Sequence, residues 1–392
     1  MIGRRPLLVG GGALGLALAE LGYRAWDRGV WAAGAGPAYE PWRSWAGSPQ
    51  DGRLRPLRGA ILAANPHDTQ PWAFAVGPEA IEVFADRSRN LGSFDPFRRE
   101  MHLGLGAAIE NLTIAARAYG MGAAVEPAQG ALTLSSDDAP VRAARVVLAP
   151  GPEARDLLFA AIPLRRTNRG PYLPDRPVAP DQLRRLAGVA ASGDVRTAFV
   201  ADEAARRDLG AVIVEATRAI VDDAEMSADS ARWFRTGRRE IAAHRDGVTL
   251  DTAGLSPQMT ALAKLLPDVS AKTSDAYWLA MTRDVQLPTA PALGIVFVRD
   301  RLDMAAAIAA GRAWQRLHLA ATAAGLAAQP VNQPVERADR DKALGRPDDF
   351  GGVLMKFASE PGWEGTFVFR LGIPERLAPQ SPRRALAEVV RT

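Results

Sequence analysis

The chain runs to 392 residues, 47% hydrophobic and 23% charged, a length and balance that allow one large domain or two of usual size around a substantial core. Basic residues outnumber acidic ones by 48 to 44, only four of them lysine (Lys264, Lys272, Lys342 and Lys356), and no basic run is interleaved with aromatics, which argues against a nucleic-acid partner. Cysteine is absent, so thiol nucleophiles, disulfides, iron–sulfur clusters and Cys-ligated zinc are excluded.

At the start of the chain Arg4-Arg5 precedes an apolar stretch, Leu7 to Ala19, and small residues around Ala33-Gly34-Ala35. This pattern predicts a twin-arginine-like export signal or N-terminal membrane anchor over residues 1–36, with the protein on the extracytoplasmic side; a cytoplasmic location is the alternative. Gly10 to Gly15 also satisfies GxGxxG, but only Leu7 to Val9 could form the strand that a dinucleotide loop needs before it. Beyond a Pro/Gly/Trp-rich connector, Gly36 to Gly52, helical and extended patterns alternate, and the fold class reads as α+β. Leu57 to Ala64 and Leu183 to Leu186 read as helical. Ile81–Ala85, Val195–Val200, Leu293–Val298 and Phe367–Leu371 alternate like half-buried strands.

The clearest helix carries an apolar stripe, Leu105, Ile109, Leu112, Ala116 and Tyr119, and ends at Gly120. The same stripe recurs 205 residues later as Ala310, Trp314, Leu317, Ala321 and Ala324, closed by Gly325, with identities that include Gly106/Gly311 and Leu112/Leu317. An internal duplication is favoured over two merely similar amphipathic core helices, with one half over 37–150, the other over 151–392, and sheets flanked by helices in a pseudo-dimer. The second half carries an extra helical stretch, about 226–278, long enough to act as a lid.

Three segments are dense in groups that could carry chemistry. The first, Asn65-Pro66-His67-Asp68-Thr69-Gln70-Pro71-Trp72, is a loop stiffened by two prolines whose polar groups could read the edge of a flat ring; an Asx-turn is the plain alternative for His67 and Asp68, and Trp72 reads as core. The second, Arg165-Arg166-Thr167-Asn168-Arg169, offers guanidiniums and a hydroxyl suited to a phosphate, against the alternative of a solvated Arg cluster. The third is Pro382-Arg383-Arg384. The four histidines, His67, His102, His244 and His318, have no metal-ligand spacing, so no metal is expected. His318 lies off its helix stripe and reads as a solvated or packing residue.

Taken in order, these segments resemble the nitroreductase superfamily, and more closely its Acg-like members, in which one chain fuses two nitroreductase-type halves. The matching stretches are Asp68-Thr69-Gln70-Pro71-Trp72; Asp86-Arg87-Ser88-Arg89 with Asp95-Pro96; Arg99-Glu100; Gly106 to Leu112; Arg165 to Arg169; Arg370-Leu371-Gly372; and Ser381 to Arg384. The resemblance implies a nitroreductase-like fold holding flavin mononucleotide (FMN), with phosphate contacts at Arg165, Arg166, Thr167 and Arg169 closed by Arg383 or Arg384. Asn65, Pro66, His67, Asp68 and Gln70 would lie along the flavin ring and ribityl chain, and Gln329 near flavin N5. The Arg-rich opening occurs only in the second half, Arg53 to Arg58 being its first-half counterpart, which implies one FMN per chain. Asp68 stands where the family usually has Asn and would add negative charge near the flavin. The implied function is an FMN-dependent oxidoreductase taking electrons from NAD(P)H to a small electron-poor acceptor, nitroaromatic or quinone-like, without an obligatory catalytic side chain; the alternative is a flavin-sequestering protein. Association as a homodimer stays open.

Overall fold

The structure, a computed structural model, describes residues 19–391; the paired arginines and the Gly10–Gly15 pattern lie outside the described residues. Hydrophobic alternation builds strands β1 (Trp72–Val76), β2 (Ala80–Ala85), β3 (Met121–Pro127) and β4 (Val141–Pro150), then β5 (Arg196–Val200), the short β6 (Phe234–Arg235) and β7 (Val248–Thr249), β8 (Ala292–Val298), β9 (Ala327–Pro330), β10 (Glu364–Gly372) and β11 (Val390–Arg391). One sheet has the order β11-β1-β2-β4-β3 and the other β5-β8-β10-β9. Apart from the parallel β1–β11 pair, every neighbour in both sheets is antiparallel.

The two sheets share one connectivity. Helix α1 (Leu54–Ala60) precedes β1 and β2, and α2 (Arg99–Ala118) leads from β2 to β3; in the second half α3 (Pro180–Ala190) precedes β5, and the long helix Met304–Ala323 leads from β8 to β9. Between β1 and β2 the first half has a tight turn in which Gly77 N donates to Ala80 O at 2.9 Å. Between β5 and β8 the second half inserts residues 201–291 instead. These form α4 (Glu203–Val221), α5 (Ala224–Ala231), α6 (Arg238–His244), α7 (Pro257–Leu265) and α8 (Ala271–Met281), so the extension starts earlier than Met226. The helix Met304–Ala323 is α9, and Gln333–Ala343 is α10.

Strands 293–298 and 367–371 correct the half-buried expectation: all of β8, and β10 from Gly365, are buried. Each lies inside its sheet with helices on both faces, so apolar residues are needed on each side. The same holds for α2, where every residue except Arg117 is buried, because it is enclosed by the first sheet, α1 and α9. On α9 the stripe is buried through Ala321, while Ala324 at the C-terminal end is exposed.

The paired glycines lie where α2 and α9 cross. A Cβ on Gly106 would sit 2.1 Å from Ile308 O, and one on Gly311 would sit 2.0 Å from Leu103 O, so only hydrogen at both positions lets the backbones approach this closely. Beside the crossing, Glu110 receives hydrogen bonds from Arg312 Nε (2.9 Å) and Arg316 Nε (2.8 Å). Burial alone would raise the Glu110 carboxyl, but these two guanidiniums hold it below its ordinary range. Leu112 and Leu317 are fully buried, and truncating either to Ala costs about 2–5 kcal/mol.

The first half does not close on itself. The C-terminal strand β11 joins the edge of β1, and Arg383 N donates to Ala38 O at 2.7 Å, so the tail of the second half returns across the first. Among the described residues no helix is long and apolar enough to cross a membrane.

Candidate functional site

The loop after α1 is strained. His67, Asp68 and Gln70 all have positive φ (46°, 57° and 50°), a conformation costly for residues with a Cβ and typical of segments shaped by function. Internal bonds hold it: Asn65 Oδ1 accepts from Gln70 N at 2.7 Å, and Asn65 Nδ2 donates to Ala63 O at 3.3 Å and to Asp68 Oδ1 at 3.4 Å. Gly104 on α2 lets the loop lie against the helix, since a Cβ there would meet Pro66 Cδ at 3.0 Å.

Opposite stands the Arg165–Arg169 segment, before α3. His318, fully buried and packed on Trp314 at 4.8 Å between ring centroids, shares a hydrogen bond of 3.0 Å with Arg166 O through Nε2; it is a packing residue, held neutral by burial. Arg370 fixes the other end, donating from Nη2 to Asn168 O (3.1 Å) and Gly170 O (2.6 Å), with its guanidinium 3.9 Å over the Tyr172 ring.

Between loop and segment lies a small cavity of about 40 Å³ lined by Arg165, Arg166, Thr167, Arg169, Arg383 and Asp68. Trp42 forms part of its wall, with Arg166 at 4.4 Å and Arg383 at 4.9 Å from its ring. Arg165 is only 2% exposed; its Nη2 donates to Leu62 O at 3.2 Å, while Nε and Nη1 have no acceptor. Arg383 pairs with Asp68 and donates to Ser381 Oγ (2.6 Å) and Ala63 O (3.2 Å), leaving Nε without an acceptor. Burial, then the neighbouring Arg383 and Arg166, push the Arg165 guanidinium well down, and burial and Arg383 bring Arg166 to about 10. Among the described residues Asp68 is the only carboxylate in that wall, and burial raises it to about 7 against the pull of Arg383. The cavity is therefore short of negative charge and rich in unused N–H groups.

Ala64, Asn65, Thr167, Arg169 and Val248 are shared with a larger cavity of about 230 Å³. This chamber is bounded by Pro66 and His67, by Leu103 and Gly104 of α2, by Gln329 and Pro330 of β9, and by Trp314 and Phe367. The extension contributes Ser230, Phe234, Tyr277, Trp278 and Met281. His67 shares a 3.2 Å hydrogen bond with Ser230 Oγ and meets Phe94 edge-on at 5.5 Å; burial, then Arg169, pushes its ring down to about 4, so it is neutral at pH 7.

Ten of the twelve residues expected from the sequence meet in the two cavities: Asn65, Pro66, His67, Asp68, Arg165, Arg166, Thr167, Arg169, Gln329 and Arg383. Gln70 and Arg384 line neither. Gln70 is fully buried and ties the loop to its surroundings, donating to Arg245 O at 2.8 Å and accepting from Arg384 N at 2.7 Å. Arg384 is spent on Gln70 O (3.4 Å) and Glu388 O (3.0 Å). Asp68 lines only the arginine cavity, so its charge faces guanidiniums rather than the larger chamber. The Gln329 side chain accepts from Arg370 Nε at 2.6 Å and is committed to that bond. Arg53 is the N-cap of α1 and Arg55 and Arg58 lie on it; none of the three lines either cavity.

Sequence reasoning missed Trp42, which stood in a stretch read as connector, and the group formed by Glu100, Asn332, Gln333 and Glu336 in the wall of the chamber. The i, i+3 spacing of Gln333 and Glu336 directly after β9 was the available signal.

Across 335 residues the chain is 28% identical to "Putative NAD(P)H nitroreductase Rv3131" of Mycobacterium tuberculosis, a match spanning 84% of this chain and 88% of that protein. The chain is similar to proteins of the nitroreductase superfamily. A second relative in the same organism, "Putative NAD(P)H nitroreductase acg", is 30% identical over 149 residues, 37% of this chain and 42% of that protein. The crystal structure of the FMN-dependent nitroreductase NfnB from Mycobacterium smegmatis in complex with NADPH aligns over 60% of this chain and 97% of that one, at 17% identity and a TM-score of 0.39, a superposition too loose to bear on the site. No family model matches the chain.

Proposed function

We propose that this protein is an FMN-binding, nitroreductase-type oxidoreductase that holds one FMN per chain. The observation that carries the reading is the arginine cavity: Arg165 and Arg383 keep buried N–H groups without acceptors, four guanidiniums face one carboxylate, and the pocket opens into a chamber wide enough for an aromatic ring. A phosphate dianion answers both the missing acceptors and the missing charge. Arg165, Arg166, Thr167, Arg169 and Arg383 would hold that phosphate, and Asn65, Pro66 and His67 would border the ring. When bound, FMN supplies hydride transfer between NAD(P)H and a small electron-poor acceptor such as a nitroaromatic or a quinone. The names of the two mycobacterial relatives support the same reductant.

The matching strand order of the two sheets and the glycine pair at the helix crossing support a single ancient duplication, with the halves at 37–150 and 151–392. Only the second kept the phosphate arginines, which supports one flavin rather than two. Residues 1–36 are proposed as an export signal or anchor on the extracytoplasmic side; the twin-arginine route carries folded proteins and suits one that must first acquire its cofactor.

Flavin sequestration is the second reading, favoured by the way Phe234, Tyr277 and Trp278 of the extension wall the chamber. Anaerobic NADPH addition to the purified yellow protein separates the two. Bleaching of the flavin band, followed by recovery with a quinone, supports turnover; tight FMN that NADPH cannot reduce supports sequestration, and a colourless chain that takes up no FMN removes both.

A further inference from the structure

Two buried carboxyl groups of the chamber wall come from α2 and α10. Glu100 is 6% exposed and Glu336 7%; both line the chamber, and they lie within hydrogen-bonding reach of one another. Their surroundings are unequal. Glu100 accepts from Asn332 Nδ2 and has Arg99 Nη2 at 3.5 Å. Glu336 Oε2 receives no hydrogen bond, nor does Oε1 of the buried Gln333 one turn away on α10.

Positive charge is scarce around the pair. Arg99 is the nearest cation and is largely committed, through Nε to Asp339 (2.5 Å) and Nη1 to Thr366 O (2.6 Å). Arg301 joins Asp339 at 3.0 Å but is shared with Asp348 and Glu364. Asp95 sits behind the pair, its oxygens taken by Glu100 N (3.0 Å) and Met101 N (2.9 Å). The other charged or titratable groups lining the chamber are His67, Arg169, Asp275 and Tyr277. Carboxylates this close and this poorly compensated cannot all ionise. Asn332 and Arg99 stabilise the charge on Glu100, so the proton stays on Glu336. Burial, then Glu100 itself, pushes the Glu336 carboxyl well above its ordinary range.

Resting on the flavin reading of the chamber, we infer that Glu336 is the proton donor to the acceptor, with Glu100 as the positioning partner that shares its proton. For a quinone-like acceptor, hydride brings two electrons and one proton to the ring system. The O–H bond of Glu336 breaks, its electron pair stays on the carboxylate, and a new O–H bond forms on the acceptor oxygen, completing the hydroquinone. Water entering the chamber then returns a proton to the Glu100–Glu336 pair. The unpaired Gln333 Oε1 can accept a hydrogen bond from the hydroquinone as it forms.

Glu336→Gln removes the proton with little change of shape. The first readout needs no flavin: infrared spectra of the full chain with ¹³C-labelled glutamate should contain a protonated-carboxyl band at neutral pH that disappears in E336Q. The second is stopped-flow reoxidation of the FMN-loaded, prereduced protein by 1,4-benzoquinone, expected to slow by about 100-fold in E336Q and to lose its pH dependence. Glu336→Asp, which keeps the acid, should recover part of the rate and stands in if the Gln variant does not fold. Absence of the band, or reoxidation of E336Q at the wild-type rate while FMN remains bound, overturns the donor role alone. No FMN uptake by the wild-type chain overturns the flavin reading together with it.

Discussion

Replacing Arg165 with Met should move stability and cofactor affinity in opposite directions. In the free protein the Arg165 guanidinium is buried with Nε and Nη1 unsatisfied, and Arg383 and Arg166 repel it. Each unsatisfied buried donor costs about 1–3 kcal/mol, and the bond to Leu62 O that Met would forfeit is worth about 1 kcal/mol. The variant without ligand should therefore be more stable than the wild type by about 1–5 kcal/mol, measured by urea unfolding. A bound phosphate would use both free N–H groups through charge-assisted bonds worth about 1.5–3 kcal/mol each, so FMN affinity should fall by about 3 kcal/mol or more, roughly a hundredfold in Kd. Fluorescence quenching of FMN on titration reads this directly. An R165M chain that is less stable than the wild type and binds FMN within about threefold of it would refute the reasoning.

Three further outcomes follow from the same structure. Gly311→Ala should destabilise by about 3 kcal/mol in thermal or urea unfolding, because its Cβ meets backbone at 2.0 Å; Gly188→Ala, on exposed α3 with nothing within 4 Å, should stabilise by about 0.5–1 kcal/mol, and equal effects would contradict the crossing geometry. His67 is pushed down to about 4, so its ring signals in NMR should stay flat from pH 8 to 5; stability from its neutral burial is lost only as pH falls from about 6.5 toward 4, and a midpoint near 6.5 would disprove it. Burial, then Glu100, raises Asp95 to about 7 from 3.8. The stability it contributes is complete below about pH 4 and lost as pH rises toward 7, so Asp95→Asn should flatten the decline between those limits, and an unchanged slope would count against the raised acid.

Much of the site could be read from the chain because its chemistry is local. Five residues, 165–169, carry three guanidiniums, and a loop with two prolines has few ways to fold. The long helices were equally legible, since α2 and α9 each keep a 3.6-residue stripe and a closing glycine. What escaped depends on contacts far apart in sequence. Trp42 reaches Arg166 and Arg383 over separations that no local pattern encodes, and Glu100 meets Glu336 only because α2 and α10 converge on the chamber. Gln70 and Arg384 have the right chemistry for a ligand, but the structure spends it on each other. Asp68, expected to add negative charge near the flavin, lines the arginine cavity. Burial on both faces of β8 and β10 was missed because alternation alone does not reveal what covers a sheet.

FMN and riboflavin differ only by the phosphate that Arg165, Arg166, Arg169 and Arg383 would hold, so comparing the two tests the proposed function most directly. Titration of the purified, flavin-free chain with each should give one FMN per chain, bound at least about a hundredfold more tightly than riboflavin. Equal affinities for the two, or no binding of FMN, would contradict it.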